Sequence, residues 1–156
     1  MEFIANPQIR IILELLLAAL LGGLIGLERE YKRKEAGLRT YSLVSLGAAF
    51  FTIISYTAFE SFAGRTGIDF DPTRIIGQIV LGIGFLGAGL IIFRGFHIEG
   101  LTTAAGLWVA SAIGVAVGAE LYFPAIFATF LAIGILSGLR IVEEKFFEKE
   151  TKGSPK

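Results

Sequence analysis

Five apolar stretches, each about as long as a membrane-spanning helix, dominate the sequence. They cover residues 9–27, 41–59, 75–93, 101–119 and 122–141. An α-helix needs roughly 20 apolar residues to cross the hydrocarbon core of a bilayer, so each stretch qualifies as a span. Hydrophobic residues make up 54% of the 156-residue chain, more than a soluble domain of this size can bury. We therefore predict an all-α fold, a polytopic membrane bundle of five transmembrane helices.

Lysine and arginine residues are distributed unequally between the two sides of such a bundle. With five spans, eleven of the fourteen share one side: the segment after the first span, the turn after the third and the C-terminal tail. Because basic loops of multi-pass proteins face the cytoplasm, the N-terminus is predicted outside and the C-terminus inside the cell. Residues 1–145 form the predicted five-helix transmembrane domain, and 146–156 form a short cytoplasmic tail.

The residues directly after the first span favour a continuation of its helix. Glu28 and Lys32, and likewise Glu30 and Lys34, are four positions apart, in the order that favours an ion pair on a helix. Gly37 suits the C-terminus of that helix. The first helix is therefore predicted to extend beyond the membrane.

Small residues recur at helical spacing in the spans, a pattern through which membrane helices approach each other closely. The first, fourth and fifth spans carry glycines four positions apart, and the third is rich in glycine. The pattern predicts a compact bundle packed through glycine. It also predicts that the protein forms a homodimer. The predicted packing positions are Gly22, Gly26, Gly82, Gly84, Gly87, Gly89, Gly106, Gly114, Gly118, Gly134 and Gly138.

The third span has two readings. Residues 82–87 match GxGxxG, but they lie inside an apolar stretch, without the preceding strand that a dinucleotide site requires. Glycine weakens a helix by about 1 kcal/mol relative to alanine at each position. The span is therefore either a closely packed helix or one with a local break, as in transporter binding sites near the midplane.

Short matches suggest an internal repeat. Gly-Leu-Ile occurs at 23–25 and 89–91, and Gly-Leu-x-Thr occurs at 37–40 and 100–103. Helices one and two are then a parallel copy of helices three and four, with the fifth added. Chance similarity in a chain rich in glycine and leucine is the alternative.

Charged and amide side chains inside the spans are candidates for function, because they are costly in hydrocarbon. Glu14 either pairs with Arg10, four residues earlier, or is a proton or cation ligand. Glu28, at the inner end of the same span, is the second candidate ligand for a metal such as Mg²⁺. Gln78 needs hydrogen-bond partners, which either a neighbouring helix or a polar pathway would supply.

Polar residues also collect at the predicted cytoplasmic helix ends, where a functional cluster forms if the bundle is compact. Interfacial anchoring and helix capping are the alternatives. The residues are Glu28, Arg29, Arg39 and Thr40 at the first two helices, and Arg94, Glu99, Thr102 and Thr103 at the next two.

Several classes of function are disfavoured. The chain has no cysteine, which excludes disulfides, thiol catalysis and cysteine-bound metal. A net charge of zero gives no signal for nucleic acid. The pattern contains no nucleophile–base pair or phosphate loop, so we expect neither an enzyme nor a bound organic cofactor, and Mg²⁺ is the one ion under consideration.

Five ordered motifs give the chain a family resemblance. At 26–29 (GLER), 36–40 (AGLRT), 78–80 (QIV), 82–89 (GIGFLGAG) and 100–105 (GLTTAA), it resembles the MgtC/SapB family. The resemblance covers roughly residues 10–140. It implies a bacterial inner-membrane protein linked to magnesium homeostasis and, in some pathogens, to survival inside host cells. In some members it also implies regulatory contact with other membrane proteins, including the ATP synthase.

Carried over position by position, the resemblance implies a set of functional residues. Many members have asparagine where Thr102 stands, and many carry a soluble domain after the fifth helix. The implied set is Glu28, Arg29, Arg39, Thr40, Gln78, Thr102, Thr103 and Trp108.

Two hypotheses for function follow. In the first, the protein moves an ion or small solute through a path that ends at the cytoplasmic polar cluster. In the second, it transports nothing and regulates another membrane protein by binding it. The few acidic residues within the spans are a difficulty for conducting hydrated Mg²⁺, which prefers several oxygen ligands in octahedral geometry.

Overall fold

The structure is a computed structural model that describes residues 6–62 and 71–139. Its helices are α1 (Pro7–Tyr31), α2 (Leu38–Phe62), α3 (Thr73–Leu90), α4 (Leu101–Gly118) and α5 (Tyr122–Gly134). A π-helical turn, Ile135–Leu139, continues α5, and strands β1 (Ile92–Arg94) and β2 (His97–Glu99) lie between α3 and α4. Five helical segments of the described ranges are long and apolar enough to cross a membrane. The predicted five-span helical architecture is confirmed.

The helices alternate in direction along the chain. Residues along α2 meet residues along α4 in the same order: Tyr41 meets Gly106, Ser45 meets Gly114 and Ala49 meets Gly118. These two helices therefore run parallel. Contacts of Arg10 with Tyr122, and of Lys32 with Ser137, make α1 parallel to α5 in the same way. The α1–α2 loop, the β1–β2 hairpin and the π-helical turn consequently share one end of the bundle, called here the basic face.

Helix α4 occupies the centre of the bundle and α3 its edge. Half of the α4 span is buried, against 6% of the α3 span. Helix α4 packs against each of the other four helices, whereas Ile83 and Gly87 are the buried residues of α3. The most exposed span is thus the one richest in predicted packing glycines.

The glycines divide into two groups. A Cβ at Gly22 would lie 2.5 Å from the Tyr41 carbonyl oxygen, and one at Gly118 would lie 2.6 Å from that of Ala49. Comparable collisions would occur at Gly26, Gly106 and Gly114. At Gly22, Gly26, Gly114 and Gly118, α1 and α4 approach the α2 backbone so closely that a side chain does not fit, and at Gly106 the Tyr41 side chain takes the space.

The other predicted packing glycines face open space or loose contact. Gly87 is in ordinary contact with Ala104, at 3.6 Å. For the remainder, a Cβ would meet no atom of the described chain within 4 Å, so these residues do not pack this bundle together. They are Gly82, Gly84, Gly89, Gly134 and Gly138.

Two predicted boundaries were wrong. Helix α3 ends at Leu90, and residues 91–93 leave the predicted third span to enter β1. Gly95, with φ +63°, and Gly100, with φ +86°, allow the chain to reverse and to enter α4. Helix α1 ends at Tyr31, before Gly37, because Arg33, with φ +52°, takes the left-handed conformation that ends a helix. The Glu30 carboxylate accepts a hydrogen bond from the Leu38 amide at 2.9 Å, at the start of α2.

Helix α3 is continuous through residues 82–87, so the hypothesis of a local break there was wrong. The repeat of helices one and two in three and four stays a prediction. Residues 63–70, between the second and third spans, and the predicted tail, 146–156, lie outside the described residues.

Candidate functional site

A polar cluster built around the Glu28 carboxylate lies at the basic face. Arg29 Nε donates to Glu28 Oε2 at 2.6 Å, and Lys32 Nζ lies 2.6 Å from Oε1. The Ser137 hydroxyl, from the π-helical turn, donates to the same Oε1 at 2.9 Å. The Arg29 side chain is only 3% exposed, and that of Glu28 is 11% exposed. We call these four residues the Glu28 cluster.

The Glu28 cluster joins α1 to the end of α5. Glu28 and Lys32 are one helical turn apart, so both project from the same side of α1. Two cations and a hydroxyl surround one carboxylate, an arrangement that stabilises its ionised form. The cluster therefore presents a filled set of hydrogen bonds rather than a vacant carboxylate.

A second contact at the basic face joins the α1–α2 loop to the start of α4. The buried Thr103 hydroxyl donates to Glu35 Oε2 at 2.9 Å. The backbone carbonyl oxygen of Thr103 accepts a hydrogen bond from the Tyr41 hydroxyl at 3.1 Å. The pKa of the Glu35 carboxyl is lowered, because the carboxylate accepts hydrogen bonds from the Glu35 backbone amide and from the Thr103 hydroxyl. This contact holds the starts of α2 and α4 side by side.

The other residues predicted at the inner clusters or implied by the resemblance lie apart from these contacts. Arg39, Thr40 and Thr102 are exposed at the helix starts. Arg94 and Glu99 form an exposed ion pair, at 3.3 Å, within the hairpin. The two predicted inner clusters are therefore joined through Glu35 and Thr103, not through these side chains. Trp108 is 52% exposed on α4, and Gln78 is exposed on α3.

A third polar network lies at the opposite end of the bundle. Glu14 accepts hydrogen bonds from Arg10 Nε at 3.1 Å and from the Tyr122 hydroxyl at 2.5 Å. Arg10 also forms an ion pair with Glu120, in the turn between α4 and α5. The pairing of Arg10 with Glu14 agrees with the helical spacing, while the contribution of Tyr122 had no signal in the sequence. A cavity of about 380 Å³ adjoins this network.

An apolar groove of about 610 Å³ separates the middle of α2 from α3. Gly47 of α2 and Gly82 of α3 line it, and a Cβ at either would meet no atom of the described chain within 4 Å. Gln78 and Ser111 are the polar residues of its wall. The other lining residues are Leu43, Val44, Ala48, Phe51, Ile75, Ile79, Ile83 and Leu86.

Metal ligands are scarce in the described parts of the chain. In residues 6–62 and 71–139, no three histidine, cysteine, aspartate or glutamate side chains lie close enough to hold a metal ion together. Each candidate metal ligand of the sequence, Glu14 and Glu28, already accepts hydrogen bonds from an arginine. A cation at either position would compete with that arginine for the carboxylate.

Sequence reasoning missed several members of these contacts. Ser137 and Tyr122 reach α1 from more than 100 positions away along the chain. Glu35 was passed over because it lies in a charged loop, where solvation is the ordinary expectation. Lys32 and Arg10 did carry a signal, because each stands four positions from its glutamate.

Five apolar helices and charge confined to the two ends define a multi-pass α-helical membrane protein. The model of the MgtC family matches residues 15–145. The chain belongs to the MgtC family.

Curated relatives agree with this assignment. "Protein MgtC" of Salmonella typhimurium (strain 14028s / SGSC 2262) is 48% identical over 122 residues, which cover 78% of this chain and 49% of the relative. "Protein MgtC" of Brucella abortus (strain 2308) is 45% identical over 138 residues, 88% of this chain and 55% of the relative. "Putative magnesium transporter YhiD" of Escherichia coli (strain K12) is 42% identical over 125 residues, 80% of this chain and 58% of the relative.

The chain thus spans about half the length of the curated relatives it matches. No solved structure matches it significantly.

Proposed function

We propose that this protein serves magnesium homeostasis and stress adaptation in the bacterial inner membrane, and that it does so as a regulator that binds another membrane protein. The observation that carries the proposal is the α2–α3 groove. It opens beside the most exposed span of the bundle and has glycine on both walls. The MgtC family membership supports the link with magnesium.

The chemistry of the groove suits a transmembrane helix as the bound element. Glycine lets two helix backbones come close, and membrane helices associate through such packing and through hydrogen bonds between them. The wall around Gln78 is apolar except for Ser111. An amide in such surroundings is costly unless it is hydrogen-bonded, and a polar side chain of a partner helix would supply the bond. A lipid acyl chain could not supply this hydrogen bond.

The state of the carboxylates also supports regulation over conduction. Mg²⁺ prefers near-octahedral oxygen coordination and gives up its water reluctantly. Glu28 is bonded to Arg29 and Lys32, and Glu14 to Arg10, so a passing ion would meet carboxylates that are already neutralised. The Glu28 cluster then has a structural role, in which it holds α1 against the end of α5.

The resemblance indicates the ATP synthase as the partner to test first. Gly82→Leu fills the groove, whereas Gly134→Leu adds the same side chain to α5, at a position that is also open. In membranes of a bacterium that carries the protein, we expect Gly82→Leu to lower copurification of the ATP synthase by about tenfold or more. Gly134→Leu should leave it unchanged. Equal copurification with both variants would contradict the role of the groove.

Transport of Mg²⁺ is the second candidate function, and the name of the Escherichia coli relative, "Putative magnesium transporter YhiD", favours it. Purified protein in liposomes, loaded with a Mg²⁺ indicator, distinguishes the two functions. The regulatory proposal expects no flux above that of empty liposomes. Flux above that level, abolished by Thr102→Ala at an exposed position, would overturn it and support transport.

A further inference from the structure

The β1–β2 hairpin has two chemically different faces. Its strands pair antiparallel, with Phe93 opposite Ile98 and Arg94 opposite His97. Paired residues of an antiparallel ladder project on the same side, and successive residues alternate sides. Phe93 and Ile98 therefore form an apolar face, while the Arg94–Glu99 ion pair, His97 and Ile92 lie on the other. All six strand residues are exposed, and Phe93 is 73% exposed.

The lengths of the flanking helices place the hairpin at the membrane boundary. Helices α3 and α4 have 18 residues each, so at 1.5 Å per residue each is about 27 Å long. The hydrocarbon core is about 30 Å thick. Helices of this length end at or just inside its edge, so the hairpin that joins them directly begins there.

Backbone hydrogen bonding limits how deep the hairpin can lie. A two-stranded ribbon has unpaired N–H and C=O groups along both outer edges, and such groups are not tolerated in contact with hydrocarbon. They are tolerated in the interface, where water and headgroups remain available.

We propose that the β1–β2 hairpin lies in the lipid–water interface, with the Phe93–Ile98 face against the acyl chains and the Arg94–Glu99 pair toward water. Phe96, fully exposed at the tip, enters the same boundary. The hairpin then helps to fix the depth of α3, which is the least buried span of the bundle.

Spin labelling tests this placement in the purified full chain. The sequence has no cysteine, so Phe93→Cys and His97→Cys each provide one labelling site on opposite faces of the hairpin. The labelled variants are reconstituted in vesicles of phosphatidylethanolamine and phosphatidylglycerol. Collisions with oxygen, which concentrates in lipid, and with a water-soluble nickel chelate report the depth of each label. We expect Phe93→Cys to favour oxygen and His97→Cys to favour the chelate.

Ile98→Cys is the second variant on the apolar face and should follow Phe93→Cys. Equal chelate accessibility on both faces in vesicles would overturn the proposal. Labels at 93 and 98 that are open to the chelate in vesicles but shielded in native membranes would also overturn it, because a protein partner would then cover the face. A change in helix content by circular dichroism excludes a variant, and the other apolar-face position then decides.

Discussion

Glu14 and Glu28 are carboxylates within spans, and in each case one neighbour was visible in the sequence and another was not. Arg10 and Lys32 stand four positions from their partners, so helix geometry alone predicts the pairs. Tyr122 and Ser137 complete the same sites from α5. Their contribution depends on how α5 packs against α1, which no local pattern encodes.

Glu28→Gln should destabilise the protein strongly, because it leaves the buried Arg29 guanidinium without its counter-charge. Breaking a buried ion pair by removing one partner costs about 3–5 kcal/mol. Ser137→Ala is the matched control: it removes one hydrogen bond to the same carboxylate and should cost about 0.5–1.5 kcal/mol. Unfolding in mixed detergent micelles, followed by circular dichroism, measures both. Similar losses for the two variants would mean that Arg29 does not depend on Glu28.

At the level of secondary-structure elements, the glycine pattern predicted close packing but not which glycines provide it. Gly114 and Gly134 look alike in sequence, each in a small-residue pattern within an apolar span. Gly114 faces the α2 backbone, whereas Gly134 meets no atom of the described chain. The difference arises from the central position of α4, which is a property of the assembled bundle.

Gly114→Ala should therefore separate α4 from α2. Its Cβ would collide with the Ser45 carbonyl oxygen and lie 2.9 Å from the carbonyl carbon, and a backbone cannot yield as a flexible side chain can. Overpacking of this kind costs about 1–3 kcal/mol. Gly134→Ala should be neutral or stabilising by up to about 1 kcal/mol, since alanine favours the helix. Unfolding in mixed micelles compares them, and equal stability would contradict the close α2–α4 contact.

The whole molecule follows the alternation of five spans that the sequence predicts. The parallel pairs α1–α5 and α2–α4 bring the α1–α2 loop, the hairpin and the π-helical turn to one end. Hydropathy located the spans because hydrocarbon tolerates only helices with satisfied backbones. It did not reveal the hairpin, since an apolar run of residues 91–93 reads equally well as the end of a helix.

The basic face is predicted to lie in the cytoplasm, and single-cysteine labelling tests that orientation. Lys34→Cys lies in the α1–α2 loop, and Leu121→Cys lies in the turn at the other end of the bundle. A membrane-impermeant maleimide should modify Leu121→Cys in intact cells and Lys34→Cys only in inverted membrane vesicles. Modification of Lys34→Cys in intact cells would reverse the orientation of the whole protein.

The π-helical turn, Ile135–Leu139, gives the Glu28 cluster a geometric role. Hydrogen bonds in such a turn reach one residue further than in an α-helix, so the segment is wider. Ser137 sits in that wider segment and bonds to Glu28. One hydroxyl and one carboxylate accordingly anchor the end of α5 to the first helix, and replacing either would weaken that anchor.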